Sequence, residues 1–228
     1  MTKFKRFKKF VLDIFYPNRC GLCKRVIKYD ELICSRCLND IKSTDSYCKN
    51  CGFLHCQCDN SIYYDRALSL GVYDGNLRGA VLSLKEEINN ELIDYFAVHM
   101  SERIKKFNCD GIAFVPMTRE RKRKSGFNQS YKLALGLSKE LALPIYKNTL
   151  VKEKNYLHHD LSALERANAV KGAFIKKSSA GIKGKRIILV DDIMTTGATV
   201  NECSRLLKEM GASFVVVVCA AKTDDIFD

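Results

Sequence analysis

Eight cysteines fall between Cys20 and Cys58, and they come in close pairs: Cys20/Cys23, Cys34/Cys37, Cys48/Cys51 and Cys56/Cys58. Only Cys109, Cys203 and Cys219 lie elsewhere. The block carries few large apolar side chains and has no hydrophobic core of its own to fold around, so it needs another source of stability. Two thiolates on a tight turn can face one ion, and two such turns complete a closed tetrahedral shell, which points to structural zinc. Sequential pairing gives Cys20, Cys23, Cys34 and Cys37 to one ion and Cys48, Cys51, Cys56 and Cys58 to a second. Interleaved pairing stays open, as does His55 in place of a cysteine in the second site. Four pairs in succession argue against a redox CxxC. A disulfide scaffold would need a secreted chain, and the basic N-terminus lacks an uninterrupted apolar stretch and a cleavage site. The chain is therefore expected in the cytoplasm.

The formal net charge is +12, with positive charge concentrated in "KFKRFKK" (3–9) and in "RERKRK" (119–124), which reads as a basic loop following "GIAFVP". Such a balance suits a polyanionic partner: nucleic acid, a phosphorylated ligand or an anionic membrane. The longest apolar run, "FVVVVCAA" (214–221), has the length of a strand and is too short to span a bilayer. Residues 3–16 read as a short amphipathic helix, with Phe4, Phe7, Phe10 and Val11 opposite lysines, ended by Pro17. Docking of this helix on the chain's own sheet, on a partner or on an anionic membrane surface all fit the pattern.

From Ala67 onward, strand and helix patterns alternate. "ALSLGVY", "GIAFVP", "GKRIILVDD" and "SFVVVVCA" read as strands. "NLRGAVLSLK", "ELIDYFAVHMSERIKKF", "NQSYKLALGLSKELAL" and "TVNECSRLLKEMG" read as helices. Continuous apolar strands between helices predict an α/β fold with a parallel sheet covered on both faces. Three units are expected: a basic helix over 1–17, a cysteine-rich double ribbon over 18–60 and an α/β domain over 61–228.

One segment carries the chemistry: "IILVDDIMTTGATV", a hydrophobic strand, an acid pair and a small, hydroxyl-rich turn into a helix. Ligands of open α/β sheets collect at the carboxyl ends of strands. Successive N–H groups of Thr195, Thr196, Gly197, Ala198 and Thr199 at a helix start form a nest for a phosphate monoester. Asp191 and Asp192 would repel that phosphate at contact distance, so they are assigned to vicinal sugar hydroxyls or to Mg²⁺. A sugar 5-phosphate offers both ends.

This segment resembles the phosphoribosyl pyrophosphate (PRPP) motif of type I phosphoribosyltransferases. "FVPMTRERKRKSGFNQS", "LSALERANAVKGAF", the "LSLK" ending at Lys85 and the cysteine pairs narrow the resemblance to the ComF family of competence-associated proteins. The resemblance implies a phosphoribosyltransferase-like sheet behind a double zinc ribbon. It places Arg119, Arg121, Arg123 and Lys124 beside pyrophosphate or nucleic acid, and Arg166 on a mobile loop over 152–166. It also implies a role in natural transformation: incoming single-stranded DNA, a ComF-type helicase and the membrane channel as partners, and PRPP with Mg²⁺ as a ligand. The chain departs from the family at Thr118 (usually proline) and Ser125 (usually arginine), and again at His158 and Ala169. Two readings follow. In one, the domain is a binding module within a DNA-handling protein. In the other, it is an enzyme that transfers ribose 5-phosphate from PRPP to a base or amine, with Asp191 and Asp192 stabilising the oxocarbenium-like sugar. Tyr63, Tyr64, Tyr73 and Phe127 are candidates for base stacking or for core packing.

Overall fold

The computed structural model describes residues 17–28, 31–56, 58, 62–86, 90–153, 170 and 172–224. The basic helix expected over 3–16 lies outside the described residues, as do Arg166 and most of the expected mobile loop.

Four parallel strands form the main sheet in the order β1-β6-β5-β2: β1 is Arg66–Ser69, β6 Phe214–Lys222, β5 Arg186–Met194 and β2 Gly111–Phe114. The two central strands have nine residues each, and the apolar run predicted for the last strand is buried throughout except at its first residue. Neighbouring residues of a strand point to opposite faces, so each strand feeds two cores. On one face, Ile188, Val190, Val216 and Val218 pack against three helices. Numbering from the short α1 (Ser35–Asn39) of the cysteine block, these are α2 (Gly75–Glu86), α3 (Asn90–Ile104) and α5 (Gln129–Leu141). On the other face, Ile187, Leu189, Val215 and Val217 meet Cys203, Leu206 and Leu207 of α6 (Ala198–Glu209), together with Phe53 of the cysteine block. The expected two-sided parallel sheet is therefore present.

β1 stops at Ser69, earlier than the pattern through Tyr73 suggests. The cysteine block crosses there: a Cβ on Gly71 would lie 2.4 Å from Ile41 Cγ2 and 2.9 Å from the Lys42 carbonyl oxygen. The run ending at Phe107 also divides, α3 closing at Ile104 before a short 3-10 turn over Lys105–Phe107 and a left-handed Asn108.

Two features were not anticipated. The basic stretch read as a loop is a seven-residue helix, α4 (Arg119–Ser125), because Thr118 caps it by accepting from the Arg121 N–H at 3.3 Å and Gly126 closes it at φ 77°. A small antiparallel pair, β3 (Leu150–Lys152) with β4 (Phe174–Lys176), joins the start of the segment expected to be mobile (152–166) to residues beyond its end.

Connections set the location of the site. After β2 the chain passes through α5 on one face and returns beside β2, where Tyr146 N–H donates to the Ile112 carbonyl at 2.8 Å. After β5 it passes through α6 on the opposite face to β6. The carboxyl ends of β2 and β5 are neighbours whose loops diverge to opposite sides, and such a switch point opens a crevice.

Candidate functional site: an acid pair and a phosphate loop at the switch point

A cleft of about 240 Å³ lies at that crevice. Its lining includes Asp191, Asp192, Thr195 and Thr199 from the β5–α6 connection, and Thr118 and Arg121 from the β2 side. Lys152 of β3 closes it.

The acid pair divides into two environments. Asp191 is buried, 7% exposed, and its Oδ1 accepts from Ser130 Oγ at 2.8 Å and from the Asp192 N–H at 3.0 Å. Burial, followed by the adjacent Asp192 charge, raises the Asp191 carboxyl well above the usual carboxylate range. Asp192 is half-buried, and its Oδ1 accepts from the Ile193 N–H at 2.9 Å. A buried acid beside a more open one provides an acceptor for ligand hydroxyls and, once a cation arrives, a second negative charge.

Beyond Met194 the strand opens into Thr195 and Thr196, both exposed. Gly197 then turns the chain at φ 73°, a conformation that favours glycine. It caps α6 without a side chain, which leaves the first-turn N–H groups of a twelve-residue helix without a capping side chain; of the five loop residues, Thr195 and Thr199 line the cleft, whereas Thr196, Gly197 and Ala198 do not. Ala198 and Thr199 are half-buried, and Ala198 N–H reaches Thr196 Oγ1 only at 3.5 Å.

The basic helix α4 contributes unevenly. Arg121 lines the cleft, whereas Arg119, Arg123 and Lys124 stand exposed on α4 away from its lining. Lys124 pairs with Glu120 at 2.8 Å across one helical turn. Arg166 lies outside the described residues.

Sequence reasoning missed three contributors. Lys152 stood at the edge of the expected loop. Its side chain lies with Nζ 5.2 Å from the Phe174 ring centroid, and burial, with Arg121 nearby, lowers its pKa from the ordinary lysine value. Lys152 lines the cleft together with Arg121, Asp191 and Asp192. Ser130 orients Asp191. Asn128 caps α5 by accepting from the Tyr131 N–H at 3.1 Å and donates to the Val115 carbonyl at 3.1 Å, which ties α5 to the β2 loop. Asn128, Gln129 and Ser130 of the "FNQS" stretch line the cleft, and Asn128 and Ser130 also brace the two loops against each other.

The eight cysteines form two groups, Cys20/Cys23/Cys34/Cys37 and Cys48/Cys51/Cys56/Cys58, with the four sulfurs of each within 4.8 Å of one another. This is the sequential pairing, and His55 belongs to neither group. Sulfur separations of 3.8 Å (Cys23–Cys34) and 3.6 Å (Cys48–Cys56, Cys48–Cys58) are too long for disulfides. They match the ~3.8 Å edge of a tetrahedron built on ~2.3 Å Zn–S bonds. N–H groups of Cys51 and Asn50 bring the Cys48 thiol down to about 6, while burial and its sulfur neighbours push Cys58 to about 12. Four sulfurs gathered at tetrahedral-edge separations in each group form a donor set that fits zinc.

A larger cavity of about 350 Å³ opens between the second cysteine cluster and the free edge of β1. It lacks the acid pair and the loop. Two of its cations are engaged: Arg103 donates to the Ser69 carbonyl at 2.8 Å, and Lys222 lies 4.0 Å from the Phe53 ring centroid. Of the stacking candidates, Tyr64 is buried and donates to the Cys51 carbonyl at 3.0 Å, Tyr73 and Phe127 are half-buried, and Tyr63 is exposed.

Fold and site together define a double zinc ribbon joined to a domain of phosphoribosyltransferase type. Residues 96–225 match the phosphoribosyl transferase domain family and residues 11–62 the double zinc ribbon domain. Competence protein F of Haemophilus influenzae is 30% identical over 223 residues, covering 89% of this chain and 96% of that protein. DNA utilization protein YhgH of Escherichia coli K12 is 27% identical, covering 91% and 98%. Competence protein ComFC of Bacillus subtilis is 26% identical, covering 82% of each. The chain belongs to the ComF family of competence proteins. Among the described residues, no helix is long and apolar enough to cross a membrane.

Proposed function

We propose that this protein acts in DNA uptake and use, handling incoming single-stranded DNA, and that its phosphoribosyltransferase-like domain binds PRPP or a related sugar phosphate. The names of the relatives support the first part. The second rests on one observation: the acid pair, Thr195 and Thr199 of the loop, Arg121 and Lys152 line one cleft. In this reading the loop N–H groups and threonine hydroxyls hold the 5-phosphate. Asp191 and Asp192 take the ribose hydroxyls, directly or with Mg²⁺. Arg121 and Lys152 neutralise the diphosphate. Arg119, Arg123 and Lys124, exposed on the outer face of α4, meet the phosphate backbone of a single strand. Work on the cytoplasmic side, next to a helicase and the membrane channel, with the N-terminal helix against the membrane surface, completes the reading.

Holding PRPP is favoured over consuming it, because Ser125 stands where the family usually places an arginine, and α4 otherwise offers the diphosphate one cleft-facing arginine. Calorimetry with PRPP and Mg²⁺, paired with a pyrophosphate-release assay over a panel of bases, tests this. Binding without release above the level of an Asp191→Asn/Asp192→Asn control is expected. Release above that control assigns the domain as a transferase, and absence of binding removes the ligand. For DNA, affinity should fall with salt, log K against log[salt] having a slope of about −0.7 per phosphate contact. Charge reversal at Arg119 and Arg123 should flatten that slope by more than one, and an unchanged slope excludes α4.

A further inference from the structure

The two cysteine clusters stand on opposite sides of the sheet and meet different neighbours. The first rests on α3: a Cβ on Gly21 would lie 3.4 Å from Leu92 Cδ1, and Leu22 and Ile33 pack into the core on that face. The second rests on the phosphate loop. Phe53 directly follows its knuckle, is 2% exposed and shares the α6-side core with Met194 and Val200. A Cβ built on Gly197 would lie 3.1 Å from Phe53 Cζ and 3.1 Å from Met194 Cε, so the ring lies directly against the left-handed glycine at the head of α6. Phe53 is held in turn by the metal-binding turn. Its carbonyl accepts from the Cys48 N–H at 2.9 Å, and the Gly52 N–H donates to the Cys48 carbonyl at 2.8 Å. A second tie runs from the chain after the ribbon: Tyr63 N–H donates to Asn201 Oδ1 at 2.8 Å, in the first turn of α6, where Asn201 N–H bonds to the Gly197 carbonyl.

We propose that Phe53 is a positioning residue of the phosphate loop, and that zinc at Cys48, Cys51, Cys56 and Cys58 holds it there. Metal binding at the second cluster and phosphate-ester binding at Thr195–Thr199 then strengthen each other, while the first cluster is uncoupled. The physical reason is rigidity. A helix N-terminus binds phosphate only if its N–H groups are fixed before the ligand arrives, and a loop whose turning glycine has lost its packing surface must be ordered at the ligand's expense. Coupling between two ligands is reciprocal, so PRPP must slow zinc loss as much as zinc tightens PRPP. The inference rests on the phosphate reading of the loop given above.

The test uses the full chain with zinc bound. Hydrogen exchange of the segment 194–201 is followed in Cys56→Ser/Cys58→Ser and, for comparison, in Cys20→Ser/Cys23→Ser. Faster exchange is expected in the first variant and parent-like exchange in the second. Phe53→Ala should weaken PRPP about tenfold or more by calorimetry, with Phe53→Leu recovering most of the loss. In the Cys20→Ser/Cys23→Ser background, PRPP should slow zinc transfer to a chelator. Equal loosening by both cysteine variants, or an unchanged loop in Phe53→Ala, overturns the proposal. A parent protein that binds no PRPP defeats the phosphate reading alone, and the exchange comparison then still decides whether the second cluster supports the loop.

Discussion

Asp191 sits where water is excluded and its neighbour is another acid, so its carboxyl holds its proton to a higher pH than in the unfolded chain. The folded protein therefore binds more protons than the unfolded one between about pH 4, the unfolded value, and the raised folded value. Stability contributed by this group falls as pH rises through that window. Asp191→Asn should melt higher than the parent at pH 7 in metal-free buffer, by about 2–4 °C for each kcal/mol recovered in a domain of this size, and the difference should vanish below about pH 4. A pH-independent difference would show that the acid is not strained by burial. Lys152 carries the opposite charge and a binding role. Lys152→Gln should weaken PRPP roughly tenfold to a hundredfold, the worth of a charge-assisted hydrogen bond, and weaken ribose 5-phosphate much less. Equal losses for both ligands would place Lys152 away from the diphosphate. Asp191, Asp192, Thr195 and Thr199 could be named from their order in the chain, but Lys152 could not, because its position in the cleft depends on β3 pairing with β4 across a segment distant in sequence.

At the scale of elements, the strand–turn–helix from Arg186 to Glu209 was readable because its apolar run, acid pair and glycine each have a local physical meaning. Gly197 shows what local reading leaves out. Its positive φ is a turn property, but the ring of Phe53 against it comes from a different unit. Gly197→Ala should therefore cost both left-handed strain and a clash, about 2–4 kcal/mol together. Gly184→Ala, also left-handed at φ 75° but with nothing within 4 Å of its would-be Cβ, should cost only the strain, about 1–2 kcal/mol. Urea denaturation of the two variants separates these terms, and equal losses would remove the steric one. The helix α4 was read as a loop because six of its seven residues are charged, so no apolar stripe reveals its period. Three-residue strands such as β3 and β4 are shorter than any periodicity test can resolve.

For the molecule as a whole, the ribbon is part of the domain's core. Cys51, Phe53 and Tyr64 belong to the same buried cluster as Leu189, Val217 and Cys203, across from the helices of the other face. Elemental analysis should find two zinc ions per chain. Chelation should lower the melting temperature of the entire protein in one transition, since removing metal uncovers apolar surface shared with the sheet. Two separate transitions, the later at the parent temperature, would show a ribbon that does not support the domain.

The metal pairs, the parallel sheet and the acid pair ahead of the phosphate loop were legible in the order of residues alone, because each is signalled by residues a few positions apart. Cysteine spacing, an uninterrupted apolar run and a glycine before a helix carry their meaning locally. Which cluster faces which side of the sheet is set by the three-dimensional packing. The same packing leaves Arg121 alone of the basic run lining the cleft, completes the cleft with Ser130 and Lys152, and sets the Phe53 ring against Gly197. Those relations join residues tens to more than a hundred positions apart. They are fixed by how the crossovers divide between the two faces, which no local pattern records.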